Sequence, residues 1–144
     1  MTSPAISLKT NDGIGEIILD KPAKRNALST DMWAALPALV DAAVADTSVK
    51  VIIIHGGTAG AFAAGADISE FETIYATAES AERSGDTIAR AIDSLANCAK
   101  PVIAAIDGAC VGGGVSLALA ADLRIAGEGA KFAVTPAKLG LPPV

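Results

Sequence analysis

With 144 residues, of which 51% are hydrophobic and only 3% aromatic, the chain can bury one sizeable aliphatic core, and a second full domain is not expected. Eleven Lys and Arg against sixteen Asp and Glu leave a net charge of −5, and the basic residues cluster only at Lys21, Lys24 and Arg25, which argues against a nucleic-acid partner. Cys98 and Cys110 have neither the number nor the spacing of a disulfide framework or a zinc site, and no segment reads as a signal peptide or a membrane span, so one cytoplasmic domain over residues 1–144, without a metal, is expected.

In chain order, residues 6–10 and 14–20 flank Asn11-Asp12-Gly13, a turn signal that predicts a hairpin. Residues 20–26 form a polar loop carrying three of the eleven basic residues, either a solvated connector or a phosphate contact. Ser29 or Thr30 opens a helix to about Ala45, with Met32, Leu36, Leu39, Val40 and Ala43 at helical spacing. Pro37 lies inside that pattern, so the helix is expected to kink or to start late. Residues 49–54 are near-continuously apolar and read as a strand buried on both faces. His55, the only histidine, ends it and reads as a packed or capping residue.

A glycine-rich loop at residues 56–60 leads into small residues that run to a helix start near Ile68. Residues 69–85 are polar and weakly helical, with Ser80, Ser84 and Gly85 weakening the helical pattern, and are expected to be the most mobile part of the chain. Ile88, Ala91, Ile92 and Leu95 mark one face of an amphipathic helix. Residues 101–106 predict a buried strand, Gly112-Gly113-Gly114 a turn, and residues 115–121 a helix. Residues 122–126 and 131–134 read as two further strands around a Gly127-Glu128-Gly129 turn, and Thr135-Pro136 interrupts the second. Strands alternating with helices make the fold class α/β.

The chemistry centres on the glycine triplet. The first turn of a helix has backbone N–H groups without intrahelical partners, and glycine lets a ligand atom approach them, so an anion or oxyanion site near Gly113 is one reading and a close-packed turn the other. Gly65-Ala66-Asp67 also places small residues where a loop meets a helix. Two converging backbone donors are what a thioester oxygen needs as it gains charge in an enolate.

Several stretches in a fixed order carry a resemblance: Asn26-Ala27-Leu28-Ser29, AFAAGADI at 61–68, KPVIAAIDG at 100–108, the glycine triplet, and LALAADLRIA at 117–126. Phe132 and Leu139-Gly140-Leu141 continue it. In these the chain resembles the enoyl-CoA hydratase/isomerase, or crotonase, superfamily. The resemblance implies a ClpP/crotonase-like spiral of ββα units and an acyl-CoA substrate of fatty-acid metabolism, with coenzyme A only as part of the substrate and no separate cofactor. It implies that the Ala66 and Gly113 amides form an oxyanion hole, that Ala64, Ala66 and Ile68 face the adenine, and that Ala27 and Leu28 lie along the pantetheine. Lys24 or Arg25 would approach a CoA phosphate, and Asp67 and Gly112 complete the implied binding set. The family is longer at its C-terminus, where helices complete the pocket and the trimer contact, so the chain is expected to be a fragment of a homotrimer or hexamer.

Departures from the pattern bear on the reaction. The two glutamates of the family's hydratases fall at Ser116 and Pro136. General acid–base groups are worth roughly 10²–10⁴-fold each, so simple hydration by the usual pair is not expected. Asp67, Glu70 and Glu72 lie nearby in sequence and read as solvated or capping carboxylates. Two alternatives stand beside a lyase or isomerase. Gly114-Val115-Ser116-Leu117-Ala118 approximates a nucleophile elbow, which would make Ser116 a hydrolase nucleophile, although Ala118 replaces the last glycine and His55 precedes the serine. The missing glutamates also fit a non-catalytic acyl-CoA binder.

Overall fold

Asp12 and Gly13 both take positive φ, 50° and 82°, the combination a two-residue hairpin turn needs to match strand twist. They join β1 (Ile6–Asn11) to β2 (Ile14–Leu19) as an antiparallel pair in which Asn11 faces Ile14. The structure, a computed structural model, describes residues 5–134, and the sequence readings at Thr135, Pro136 and residues 139–141 lie outside the described residues. β2 then pairs in parallel with β3 (Val51–His55), β3 with β5 (Val102–Ile106), and β5 with β7 (Leu123–Ala126), giving a five-stranded sheet in the order β1-β2-β3-β5-β7.

A second sheet has the order β4-β6-β8 and is parallel throughout; its strands are β4 (Ala61–Ala63), β6 (Ala109–Val111) and β8 (Lys131–Ala133). The first strand of each later unit thus enters the large sheet and the second enters the small one, which is the winding expected of repeated ββα units. Neither β4 nor β6 is anticipated by the sequence pattern. Each has only three residues, too few to show an alternation, and β4 is buried at every position. The step from Ala61 opposite Ala109 to Ala63 opposite Cys110 puts one extra residue, Phe62, into β4 as a bulge.

Helix α1 (Thr30–Ala45) starts where Ser29 caps it, its hydroxyl accepting the Met32 N–H at 3.3 Å. It runs through Pro37 rather than starting beyond it, because the buried stripe of Met32, Trp33, Leu36, Val40 and Ala43 outweighs the one lost backbone donor. Lys100 closes the other end, its Nζ donating to the carbonyls of Ala43 and Asp46 at 2.9 and 2.6 Å. β3 differs from its expectation as well. Ile52 and Ile54 are fully buried, while Val51, Ile53 and His55 are only half-buried, so one face carries the core.

A larger difference concerns residues 69–85. A short helix α2 (Phe71–Ile74) is followed by α3 (Ala78–Ala96), which runs without a break through Ser80, Ser84 and Gly85. Its start is fixed by a capping box, Thr77 Oγ1 accepting the Ser80 N–H at 2.9 Å and Ser80 Oγ accepting the Thr77 N–H at 3.2 Å. Ser80, read as a helix weakener, is thus part of the cap. Ala91 and Leu95 bury the inner face of α3 against α1.

The last helix among the described residues, α4 (Gly113–Ala120), takes in two of the three glycines expected to form a turn. Arg124 reaches back to its C-terminal carbonyls, with Nη1 at 3.1 Å from Ala118 O and 3.0 Å from Ala121 O. Asp122 accepts the Val102 N–H at 2.8 Å and so ties the start of β7 to β5. Cys110 is fully buried in the core, and that burial pushes its thiol up to about 11. Cys98 and Cys110 are both free thiols. No helix among the described residues is long and apolar enough to cross a membrane.

Candidate functional site

Asn26 ties the basic loop to the strand that leads into the site. It sits at φ 59°, a left-handed conformation that asparagine tolerates better than most residues, and is completely buried. Its amide donates to the carbonyls of Gly56, Ala61 and Phe62 at 3.1, 3.1 and 3.2 Å, and its Oδ1 accepts the Lys21 N–H at 2.7 Å. Ala64 N–H then donates to Arg25 O at 3.1 Å, which extends the register toward Gly65.

From there residues 28 and 66 pair as a parallel bridge. Leu28 N–H donates to Gly65 O at 2.7 Å, and Leu28 O accepts the Asp67 N–H at 3.1 Å. In a parallel ladder the residue between two such bonds turns its own N–H away from the partner. The Ala66 N–H therefore faces away from Leu28, and it has no acceptor among the described residues. Ala66 itself is exposed.

On the second loop, Gly112 takes φ 54° and ψ −113°, and its N–H is held by Ala133 O at 2.9 Å. Its carbonyl accepts the N–H groups of Val115 and Ser116 at 3.0 and 3.2 Å, starting α4 and leaving the Gly113 N–H without an acceptor among the described residues. The two loops are neighbours: a β-carbon on Gly112 would lie 4.0 Å from Gly65 Cα. One on Gly113 would lie 2.9 Å from Trp33 Cζ2 and 3.3 Å from Leu28 Cδ1, and one on Gly114 would lie 2.7 Å from Ala63 O. Close packing and an amide without an acceptor among the described residues occur together here.

Asp67 follows Ala66 and is a buried carboxylate, 6% exposed. The Ser69 hydroxyl, donating at 2.5 Å, holds its carboxyl well below the usual carboxylate range; burial opposes this, and Lys21 and Lys24, each 3.1 Å away, add to it. Because the folded value lies below the unfolded one, this stabilisation is complete above about pH 4 and is lost as the pH falls through the folded value. Asp67→Ala is expected to lower unfolding stability by about 1–3 kcal/mol at neutral pH. Denaturant titrations of both proteins should show that gap narrowing below about pH 4.

An 80 Å³ cavity opens beside Ala66, with Leu28, Trp33, Glu70 and Tyr75 in its walls. Of the residues singled out in the sequence it gathers Leu28, Ala66, Asp67 and Glu70, while Gly113 is not among its walls and instead packs close to the Trp33 and Leu28 side chains. Ala27 and Ala64 are half-buried nearby in the chain, and Ile68 is 61% exposed. Lys24 spends its ammonium on Asp67 and on Ser69 Oγ at 3.2 Å, whereas Arg25 is exposed with no side-chain partner among the described residues. Trp33 and Glu70 stand out as walls that the sequence reading did not assign to the site. The signal for Trp33 is its place as the chain's only tryptophan on the buried stripe of α1, but Glu70 is brought in by a contact across forty residues that no local pattern encodes.

Ser116 lies inside α4, exposed, and its hydroxyl has no hydrogen bond among the described residues. It is not at a strand-to-helix elbow. His55 Nδ1 accepts the Gly57 N–H at 3.0 Å, so in the neutral ring Nε2 carries the proton toward Glu16 Oε1, also at 3.0 Å. Both ring nitrogens are thus committed away from any serine. Among the described residues no group of three His, Cys, Asp or Glu side chains is placed to hold a metal ion.

The family profile described as enoyl-CoA hydratase/isomerase matches residues 9–144. A mitochondrial methylglutaconyl-CoA hydratase of Mus musculus is 38% identical over 133 residues, covering 92% of this chain and 42% of that protein. A peroxisomal Delta(3,5)-Delta(2,4)-dienoyl-CoA isomerase of Arabidopsis thaliana is 33% identical over 150 residues, with 97% and 54% covered. Among solved structures, one assigned to the enoyl-CoA hydratase/isomerase family from Hyphomonas neptunium superposes with a TM-score of 0.94 at 66% identity, covering 97% of this chain and 53% of that one. The chain thus spans about half the length of the relatives it matches.

Proposed function

Since the chain belongs to the enoyl-CoA hydratase/isomerase family, we propose that it binds an acyl-CoA thioester, with the thioester oxygen received by the Ala66 and Gly113 amides, and that its reaction is of the lyase or isomerase class. The observation that carries this reading is the pair of acceptor-free N–H groups on neighbouring loops, one turned outward by the ladder with Leu28 and the other left over at the start of α4. Fixed donors of this kind favour the state in which the oxygen carries most charge, which is the enolate.

Residues around the pair suggest how the rest of the ligand lies. Ala27 and Leu28 run beside Ala66 and would follow the pantetheine arm, with Ala64 and the exposed Ile68 toward the adenine. Of the two basic candidates for a CoA phosphate, Arg25 is the better placed, because Lys24 would first have to leave Asp67. Asp67 contributes by holding Lys21, Lys24 and Ser69 together beside the donor loop rather than by touching the acyl group. With a serine at position 116, addition of water by a pair of glutamates is disfavoured.

Acetoacetyl-CoA tests the reading, because its enolate has its own absorption band. Titration into the protein should strengthen that band relative to free ligand, and binding without any gain in the band would overturn the two-donor site.

A further inference from the structure

We propose that Glu70 is the group that moves the α-proton of the bound thioester. This rests on the acyl-CoA reading above and names the acid–base group that the residue at position 116 does not supply. Three titratable side chains line the cavity beside Ala66: Asp67, Glu70 and Tyr75. Asp67 is saturated by two ammonium groups and Ser69, and Tyr75 offers a phenol whose ring packs edge-to-face on Phe71 at 5.5 Å. Glu70 remains.

Its placement is built rather than incidental. One turn beyond Ala66, the Glu70 N–H donates to Asp67 O at 3.1 Å, which sets where the side chain leaves the backbone. Oε1 accepts both the N–H and the hydroxyl of Thr30, at 2.8 and 3.1 Å, in the first turn of α1. Oε2 has no partner among the described residues. One oxygen therefore orients the carboxylate while the other is unengaged, in a side chain that lines the same cavity as Ala66 and Trp33.

In the step this geometry serves, Oε2 takes the proton from the carbon next to the thioester carbonyl. The C–H electron pair becomes the new carbon–carbon double bond, and the carbonyl pair moves onto oxygen, where the Ala66 and Gly113 amides meet it. Return of the proton to the same or a different carbon regenerates the carboxylate, so no further reactant is required.

Deuterium uptake at the α-carbon of butyryl-CoA in D2O, followed by mass spectrometry with the intact protein, tests the assignment. Glu70→Gln keeps an acceptor for Thr30 and is expected to retain fold and butyryl-CoA affinity while exchanging about 10²–10⁴-fold more slowly, and Glu70→Asp should recover part of the rate. Wild-type exchange should also fall toward acid pH, an effect that loss of a purely structural contact would not produce. If Glu70→Gln binds and exchanges like the wild type, or if the wild type binds without exchanging, the role of Glu70 is refuted. Failure of the wild type to bind butyryl-CoA at all would instead sink the acyl-CoA reading.

Discussion

Gly113→Pro is expected to form enolate about 10²–10³-fold more slowly than Gly113→Ala, the typical cost of one missing oxyanion donor. The comparison is between the two variants because each adds a β-carbon 2.9 Å from Trp33 Cζ2, so that contact is shared. What differs is the N–H. Gly113 is the first residue of α4, where proline is well tolerated and the helix makes no use of that donor, so the substitution removes one of the two hydrogens proposed to face the thioester oxygen. Circular dichroism should show both variants folded, and acetoacetyl-CoA should reveal the enolate band weakened more by proline. Equal bands from the two variants would mean that Gly113 serves packing alone.

Asn26→Asp is expected to destabilise the protein by about 3–5 kcal/mol at neutral pH, although it changes the side-chain volume hardly at all. The amide donates to three carbonyls in a fully buried site, and a carboxylate there would face the same three oxygens with nothing to give. Its folded pKa would therefore rise above the unfolded value, so the penalty is full above the raised value and shrinks as the pH falls and the carboxyl takes up a proton. Chemical denaturation at neutral and acid pH measures this. A wild-type midpoint at neutral pH would show that the site is open to water.

Much of this architecture could be read from patterns longer than four residues. The hairpin, α1, β5 and α4 all emerged from turn chemistry or periodicity, because each carries its own start signal: Asp12-Gly13, Ser29, the run before Asp107, the glycine triplet. β4 and β6 did not, since three residues are too few to show a period. The start of α3 was hidden for a different reason. Serine was weighed there as a helix breaker, and only the reciprocal bond with Thr77 turns Ser80 into a cap.

For the site the division is similar. A bare amide near Gly113 is readable from a glycine triplet at a helix start, whereas Ala66 is singled out only by the family resemblance, its amide being turned away by the bridge with Leu28. Several recognisable motif residues nevertheless serve the scaffold: Lys100 and Arg124 cap helix ends, Asp122 locks a strand, and Asn26 knots three segments. Glu70 reads from the sequence only as a solvated or capping carboxylate; that the N–H it caps belongs to Thr30, forty residues away and beside the same cavity, is supplied by the fold alone.

The ladder at Leu28 has an evolutionary corollary. A donor supplied by peptide groups is heritable through nearly any change of neighbouring side chain that preserves the local path of the chain. Lineages carrying such a cradle can discard one set of ionisable groups and recruit another without rebuilding their hold on the carbonyl. On the proposed site, a change of reaction would therefore proceed through the cavity walls while the peptide groups at 66 and 113 are kept.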